Sequence, residues 1–301
     1  MAWLNVSLDL PERAAASCVE LLDSFGALAV SSTDAENSPV LEPLPGTTPL
    51  WALVRISALF DLDANLDGLP GVLTRELGRE VQLDIQFLER RDWSQTWRQY
   101  ASTYRFDNRL WVVPMDWQEK QHDFEGALLR LDPGLAFGTG NHATTHMCLE
   151  WLSKARLQNT TVIDYGCGSG ILALAAILMG ACKVYAVDYD EQALTATLNN
   201  AKQNNVTEQQ VAVFGVDALQ EFEAANDKIK VDIVVANILM NPLLELSNRL
   251  VSFIRVGGCL VLSGILEGQV AQVRNAYPMI HFEPPLLENG WACLFGTKTN
   301  D

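Results

Sequence analysis

Two carboxylates and three glycines carry the most specific chemistry in this chain. The stretch Asp164-Tyr-Gly-Cys-Gly-Ser-Gly170 sets Gly166, Gly168 and Gly170 at every second position, where positive backbone angles are allowed and a ligand can approach the main chain closely. A helix opening near Ser169 turns free N–H groups and positive dipole toward that space. A dinucleotide fingerprint needs its third glycine five residues after the first, and here that position is Ile171. Asp164 repels a pyrophosphate, but it can accept from an ammonium or hold the turn. Asp188 closes a second apolar run, Lys183-Val-Tyr-Ala-Val-Asp188, where a carboxylate can accept from ribose hydroxyls. A nucleoside with an amino-acid tail and no phosphate suits both acids, and S-adenosylmethionine is such a molecule. A lone glycine turn is often only a turn; the second strand with its terminal acid makes cofactor binding the better reading.

Other residues are more open. Thr144 and Thr145 stand at the start of a helix running to about Lys154, and either can meet a ligand carboxylate or satisfy the N–H groups of the first turn. His142 and His146, four apart, invite a metal reading. It fails because the glutamate of a His-Glu-x-x-His pattern is missing and no third ligand is near, so no metal is expected. Asp217 ends a third strand, where it caps the next helix or reaches an adenine amino group. Asn237 ends a fourth, ahead of Ile238-Leu-Met-Asn-Pro242. Its amide and the Ile238 carbonyl can accept from an amine without adding a negative charge; equally, Asn237 is a turn residue or a pure cofactor contact. No residue is assigned as catalytic.

These groups need strands that end in turns. Val162 and Ile163 read as a buried parallel strand, and apolar residues at helical spacing follow from Ile171 to Ile177. Strands are expected again at Lys183–Asp188, Val211–Val216, Val231–Ala236 and Cys259–Ser263, with helices at Glu191–Asn205 and Leu244–Phe253 between them. That alternation predicts an α/β doubly wound, Rossmann-like sheet over residues 110–301 with its ligand at the carboxyl ends of the strands. The leading residues differ. Trp3–Asp9 alternates as a half-buried strand, Pro11 opens a helix over Glu12–Phe25 capped by Gly26, and a strand follows at Ala27–Ser32. After a polar loop, Asp34–Pro49, come a strand at Leu50–Phe60, a helix at Ala64–Leu77 and a strand at Val81–Leu88. The order β-α-β-β-α-β predicts a small ferredoxin-like domain over residues 1–89, without candidate chemistry and so assigned to partner recognition or packing. Residues 90–109 read as a linker, with Trp93 and Trp97 one helical turn apart as packing anchors.

The chain of 301 residues is 49% hydrophobic and 19% charged, ordinary values for globular domains. No run approaches the ~20 apolar residues of a membrane span, and the first residues lack a signal-peptide pattern, so a soluble cytoplasmic protein is expected. The six cysteines are dispersed with no Cys-x-x-Cys pair, which suggests neither a disulfide framework nor a zinc site. A formal net charge of −16 disfavours direct nucleic-acid binding and suits a basic partner.

Four stretches together resemble the ribosomal protein L-eleven methyltransferase family (PrmA), a class of S-adenosylmethionine-dependent enzymes. They are Leu131-Asp-Pro-Gly-Leu-Ala-Phe-Gly-Thr-Gly-Asn-His-Ala-Thr-Thr145, Val162-Ile-Asp-Tyr-Gly-Cys-Gly-Ser-Gly-Ile-Leu172, Val187-Asp-Tyr-Asp190 and Val235-Ala-Asn-Ile-Leu-Met-Asn-Pro-Leu243. With the small leading domain and the tryptophan linker, the resemblance covers nearly the whole chain. Ala143 stands where proline is common and Met240 where alanine is, which touches substrate fit rather than cofactor use. The resemblance implies methylation of lysine side chains and of the N-terminal α-amine of a large-subunit ribosomal protein, typically basic. It implies cofactor contacts at Thr145, Gly166, Asp188 and Asn237, to which the local chemistry adds Asp164 and Gly168, and a leading domain that holds the ribosomal protein. The alternatives are an enzyme of the same fold acting on RNA or a small molecule, and a non-catalytic cofactor-binding assembly factor.

Overall fold

The computed structural model describes residues 3–36, 51–78, 80–88, 103–115, 117, 126–131, 142–226 and 228–300. The chain divides into two compact units, Met1–Gln99 and Tyr100–Asp301.

The first unit runs β1 (Trp3–Pro11), α1 (Glu12–Ser24), β2 (Ala29–Asp34), β3 (Leu53–Asp61), α2 (Leu69–Leu77) and β4 (Asp84–Leu88). Its antiparallel strands lie in the order β2-β3-β1-β4, the ferredoxin-like arrangement. Period-two alternation places Val6, Leu8 and Leu10 of β1 beside Val54, Ile56, Ala58 and Phe60 of β3. Ala15, Cys18 and Leu22 of α1 and Leu69 and Leu73 of α2 close the core. Helix α1 ends as expected at Gly26: its N–H reaches Asp23 O (2.9 Å) and the Ala27 N–H reaches Leu22 O (3.2 Å), the Schellman pattern. Helix α2 is shorter than the expected Ala64–Leu77. The Asn65 carboxamide accepts from the Asp67 N–H (2.9 Å) and Gly68 adopts φ 91°, so the chain turns there and the helix begins only at Leu69. Strand β2 reaches Asp34, which was expected to open the loop; residues 37–49 of that loop lie outside the described residues.

Trp93, Trp97 and most of the expected linker also lie outside the described residues. Its last part is not a linker but a hairpin. Strand β5 (Tyr104–Phe106) pairs antiparallel with β6 (Leu110–Pro114) through Asp107 and Asn108, whose φ values of 44° and 50° suit a tight primed turn. Strand β7 (Ala127–Leu131) joins β6 in parallel to complete a three-stranded sheet.

The main sheet of the second unit contains β8 (Thr161–Tyr165), β9 (Lys183–Asp188), β10 (Val211–Gly215), β11 (Val231–Asn237), β12 (Ile254–Leu266), β13 (Ile280–Phe282), β14 (Leu286–Glu288) and β15 (Trp291–Lys298). Their order is β10-β9-β8-β11-β12-β15-β13, with β14 paired to β15. Strands β8 to β12 are parallel and β15 enters antiparallel. The doubly wound reading therefore holds, and the strand order reverses between β8 and β11. Helices α3 (Ala143–Lys154), α4 (Ile171–Leu178), α5 (Glu191–Gln203), α6 (Val216–Ala225), α7 (Met240–Glu245), α8 (Ser247–Phe253) and α9 (Val270–Asn275) flank it. Alternate residues of β11 feed two cores, Ile233 and Val235 on one side, Val234 and Ala236 on the other. Sequence periodicity joined residues 244–253 into one helix; Leu246, at ψ 2°, breaks it between α7 and α8. Asp217 does not end β10 but stands exposed in the first turn of α6, where its charge complements the helix dipole.

Candidate cofactor site

A reversal of strand order opens a crevice at the carboxyl ends of the two central strands. Here those ends are the glycine turn after β8 and Asn237 at the end of β11. The turn is left-handed at Gly166 (φ 84°), Gly168 (55°) and Gly170 (80°).

Neighbouring strands and helices hold this turn. The N–H groups of Gly166 and Cys167 both donate to Val187 O at 2.7 and 3.0 Å. The Gly168 N–H donates to Asp188 Oδ2 at 2.9 Å, and Asp188 Oδ1 accepts from the Asp190 N–H at 3.1 Å. From α5, the Thr197 hydroxyl donates to Gly168 O (3.0 Å) and the Asn200 amide to Ser169 O (2.9 Å). Asp188 is 8% exposed, with lone pairs on both oxygens beyond the N–H groups they hold. Tyr189, the next residue, is 90% exposed, and an aromatic face beside a ribose-type acid can stack on an adenine ring.

Asp164 lies beneath the turn and is 1% exposed. Its Oδ2 accepts from the Ala173 N–H in α4 at 2.9 Å, so the carboxylate does hold the turn to its helix. Oδ1 is buried with no protein partner. Desolvation pushes this carboxyl up to about 7, against the pull of the Ala173 hydrogen bond and with a further push from the Asp188 charge. A buried acceptor oxygen without a donor, under a turn of glycines, fits a ligand that brings an ammonium or a cationic centre.

On the other side of the crevice the structure joins two residues 92 positions apart. The Asn237 amide donates to Thr145 Oγ1 at 3.2 Å, and Thr145 is 1% exposed while Asn237 is half-buried. This assignment leaves the Asn237 carbonyl oxygen as the free acceptor. Thr145 is positioned by the first turn of α3, capped by His142, whose Nδ1 accepts from the Thr144 N–H (3.4 Å) and lies 2.7 Å from its hydroxyl. Burial holds His142 below the usual histidine range, and its ring meets Trp291 edge-on at 4.7 Å. His146 packs against Phe106 (4.8 Å) with Nδ1 3.5 Å from Glu288. Residues 132–141 of the loop before α3 lie outside the described residues.

Ile238 links the two sides. A Cβ built on Gly166 would lie 2.3 Å from Ile238 Cγ2, and one on Gly264 of β12 would lie 2.3 Å from Ile238 O. Both glycines are therefore required by the protein's own loop. The structure brings Asp164, Gly166, Gly168 and Asp188 together around one turn and pairs Thr145 with Asn237. Sequence reasoning missed Tyr189, Thr197, Asn200, Ile238's side chain and Gly264. A signal existed for two: Ala193, Thr197, Asn200 and Ala201 form one buried stripe of α5, and polar residues on such a stripe need partners.

The model of the family described as ribosomal protein L11 methyltransferase (PrmA) matches residues 2–299. A protein of Methylococcus capsulatus with that name is 42% identical over 300 residues, covering 98% of this chain and 99% of its own length. One of Legionella pneumophila is 42% identical over 301 residues, with 98% and 99% covered. Among solved structures, a ribosomal protein L11 methylase from Lactobacillus delbrueckii subsp. bulgaricus aligns at a TM-score of 0.57 and 33% identity, covering 66% of this chain and 99% of that one.

Proposed function

The chain belongs to the ribosomal protein L11 methyltransferase family, and from that premise we propose how it works on its substrate. It is an S-adenosylmethionine-dependent protein methyltransferase whose substrate is ribosomal protein L11; the modified groups are lysine side-chain amines and the N-terminal α-amine. The observation that carries the reading is the strand-order reversal between β8 and β11, with the glycine turn at the end of one strand and the Thr145–Asn237 pair at the end of the other.

The cofactor, when bound, supplies an electrophilic methyl group on a sulfonium. Asp164, Gly166, Gly168, Asp188, Thr145 and Asn237 hold it, with Asp188 on the ribose. The chain must also present a neutral amine. A lysine with an ordinary pKa near 10.4 lies about 3.4 units from neutrality at pH 7, roughly 4.6 kcal/mol against the reactive form. The Asn237 carbonyl oxygen and the Ile238 carbonyl accept from the amine without a negative charge that would retain its proton. Thr145 fixes which end of the Asn237 amide faces the crevice.

Residues 1–89 serve as the recognition domain, the segment ahead of β5 joins it on, and the chain from β5 onward carries out transfer. The substrate is basic and meets the acidic surface of this chain, net −16, without direct nucleic-acid contact. No helix among the described residues is long and apolar enough to cross a membrane, which accords with a cytoplasmic setting beside the ribosome. The test is transfer of labelled methyl groups from S-adenosylmethionine to total ribosomal proteins, followed by mapping of the label. Label on lysines and the N-terminus of one basic large-subunit protein is expected. Label on RNA, or binding without transfer, overturns the proposal.

A further inference from the structure

The two histidines of α3 lie one helical turn apart, with Thr145 between them in the chain. No group of three metal-ligating side chains occurs among the described residues, so the pair needs another account. The β14–β15 hairpin meets both rings. Glu288 and Trp291 are directly opposed across it, with Glu288 3.5 Å from His146 Nδ1 and the Trp291 ring centred 4.7 Å from that of His142. Asn289 (φ 51°) and Gly290 (φ 80°) close the hairpin as a two-residue primed turn, the connection that matches the twist of its strands. The support behind His142 is therefore short and tight.

His142 holds the first turn of α3 through two of its groups. Its carbonyl accepts from the His146 N–H at 3.0 Å, and its ring Nδ1 accepts from the Thr144 N–H at 3.4 Å. An N–H can only donate, so Nδ1 carries a lone pair and the ring proton sits on Nε2. The Thr144 hydroxyl, 2.7 Å away, is drawn to the same nitrogen. Burial holds the ring below the usual histidine range, which keeps this neutral form at pH 7. Asn, Asp, Ser and Thr are the usual caps; a histidine in their place reaches far enough to pack on Trp291 as well. Thr145 is the third residue of the capped turn, and its Oγ1 accepts from the Asn237 amide at 3.2 Å. A displaced first turn carries that oxygen away from Asn237.

We infer that His142 is a positioning residue for methyl transfer: steadied by Trp291, its ring caps α3 and so sets Thr145 against Asn237 in the geometry that transfer requires. The inference rests on the proposed role of the Thr145–Asn237 pair and adds the group that places it. The ring need touch neither cofactor nor substrate, because a positioning group displaced by about 1 Å can cost about 100-fold in rate.

The experiment uses the full chain with His142→Ala, His142→Asn, Thr145→Ala, Asn237→Ala and the double variant His142→Ala/Thr145→Ala. Methyl transfer to purified ribosomal protein L11 at saturating S-adenosylmethionine gives kcat and KM. His142→Ala should lower kcat about tenfold or more, with KM for the ribosomal protein within about threefold. His142→Asn restores a cap and should recover at least about a third of wild-type kcat. Because the ring acts through Thr145, the double variant should be within about threefold of Thr145→Ala alone. Near-wild-type kcat in His142→Ala, while Thr145→Ala and Asn237→Ala lose activity, overturns the inference and leaves the proposed function intact. Losses that multiply in the double variant also overturn it, since the ring then acts by a separate route, and so does an Asn variant as slow as the Ala one. Long-range proton–nitrogen spectra of the wild-type chain should show the His142 proton on Nε2; a proton on Nδ1 overturns the cap even where His142→Ala fails to fold. Thr145→Ala and Asn237→Ala both at wild-type kcat overturn the proposed role of the pair and this inference with it.

Discussion

The two units bury and expose opposite things. Around the glycine turn the polar groups are drawn inward: Asp164, Thr145, Thr197 and Asn200 are all buried and hydrogen-bonded. At one end of the first unit's sheet the apolar groups are turned outward. A small ligand offers little area, so affinity for it must come from donors and acceptors fixed in advance at low cost in reorganisation. A protein partner offers area, and a surface that meets one needs no chemistry of its own.

The sharpest way to break this comparison is to remove one side of it. A fragment starting near Glu89, which keeps Trp93 and Trp97, should bind S-adenosylmethionine within about threefold of the full chain. Its kcat/KM for the ribosomal protein should fall by about 10³-fold or more, because remote binding energy no longer positions the amine. Equal transfer by a folded fragment would place recognition in the second unit.

The next effect concerns Asp164. Its carboxyl titrates near 7 in the folded chain and near 3.9 unfolded, so the folded state holds an extra proton between those values. The stability it contributes is fully present below about pH 3.9 and is lost as pH rises through about 7, up to about 4 kcal/mol by linkage. Asp164→Asn should gain on wild type in denaturant unfolding as pH moves from 5 to 8. Parallel pH profiles would mean that the site is hydrated.

Gly166→Val should lower cofactor affinity about 100-fold, roughly 2.7 kcal/mol, because its side chain collides with Ile238. Normal calorimetric binding would show that the crevice tolerates a displaced Ile238. A comparable or smaller effect is expected from Asp188→Ala, about 1–3 kcal/mol of cofactor affinity with folding kept, the cost of unpairing ribose hydroxyls and the Gly168 N–H. An unchanged Kd would move the ribose elsewhere.

Local patterns made most of the architecture legible. The alternation of β1, the cap at Gly26, the turn after β8 and the acid at the end of β9 are each written within a few residues, because strand period, left-handed glycine and helix start are local physics. The start of α2 was missed because an Asx turn at Asn65 competes with the helix over residues that carry helical periodicity. The Thr145–Asn237 bond was not readable, since nothing local links residues 92 apart. Nor was the reason for Gly166: it was read as clearance for a ligand, and the structure adds that Ile238 occupies the space first.

That contact has a consequence for how the chain can change over generations. Residues 166, 238 and 264 come from three separate segments but are packed as one unit, and their constraints differ in kind. At Gly166 the obstacle is a side-chain methyl, so a lineage that first trims Ile238 to alanine faces only the left-handed backbone penalty of about 1–2 kcal/mol. At Gly264 the obstacle is the Ile238 carbonyl itself, which no replacement at 238 removes. Drift through this crevice is therefore ordered: 238 before 166, and 264 not at all unless the loop is rebuilt.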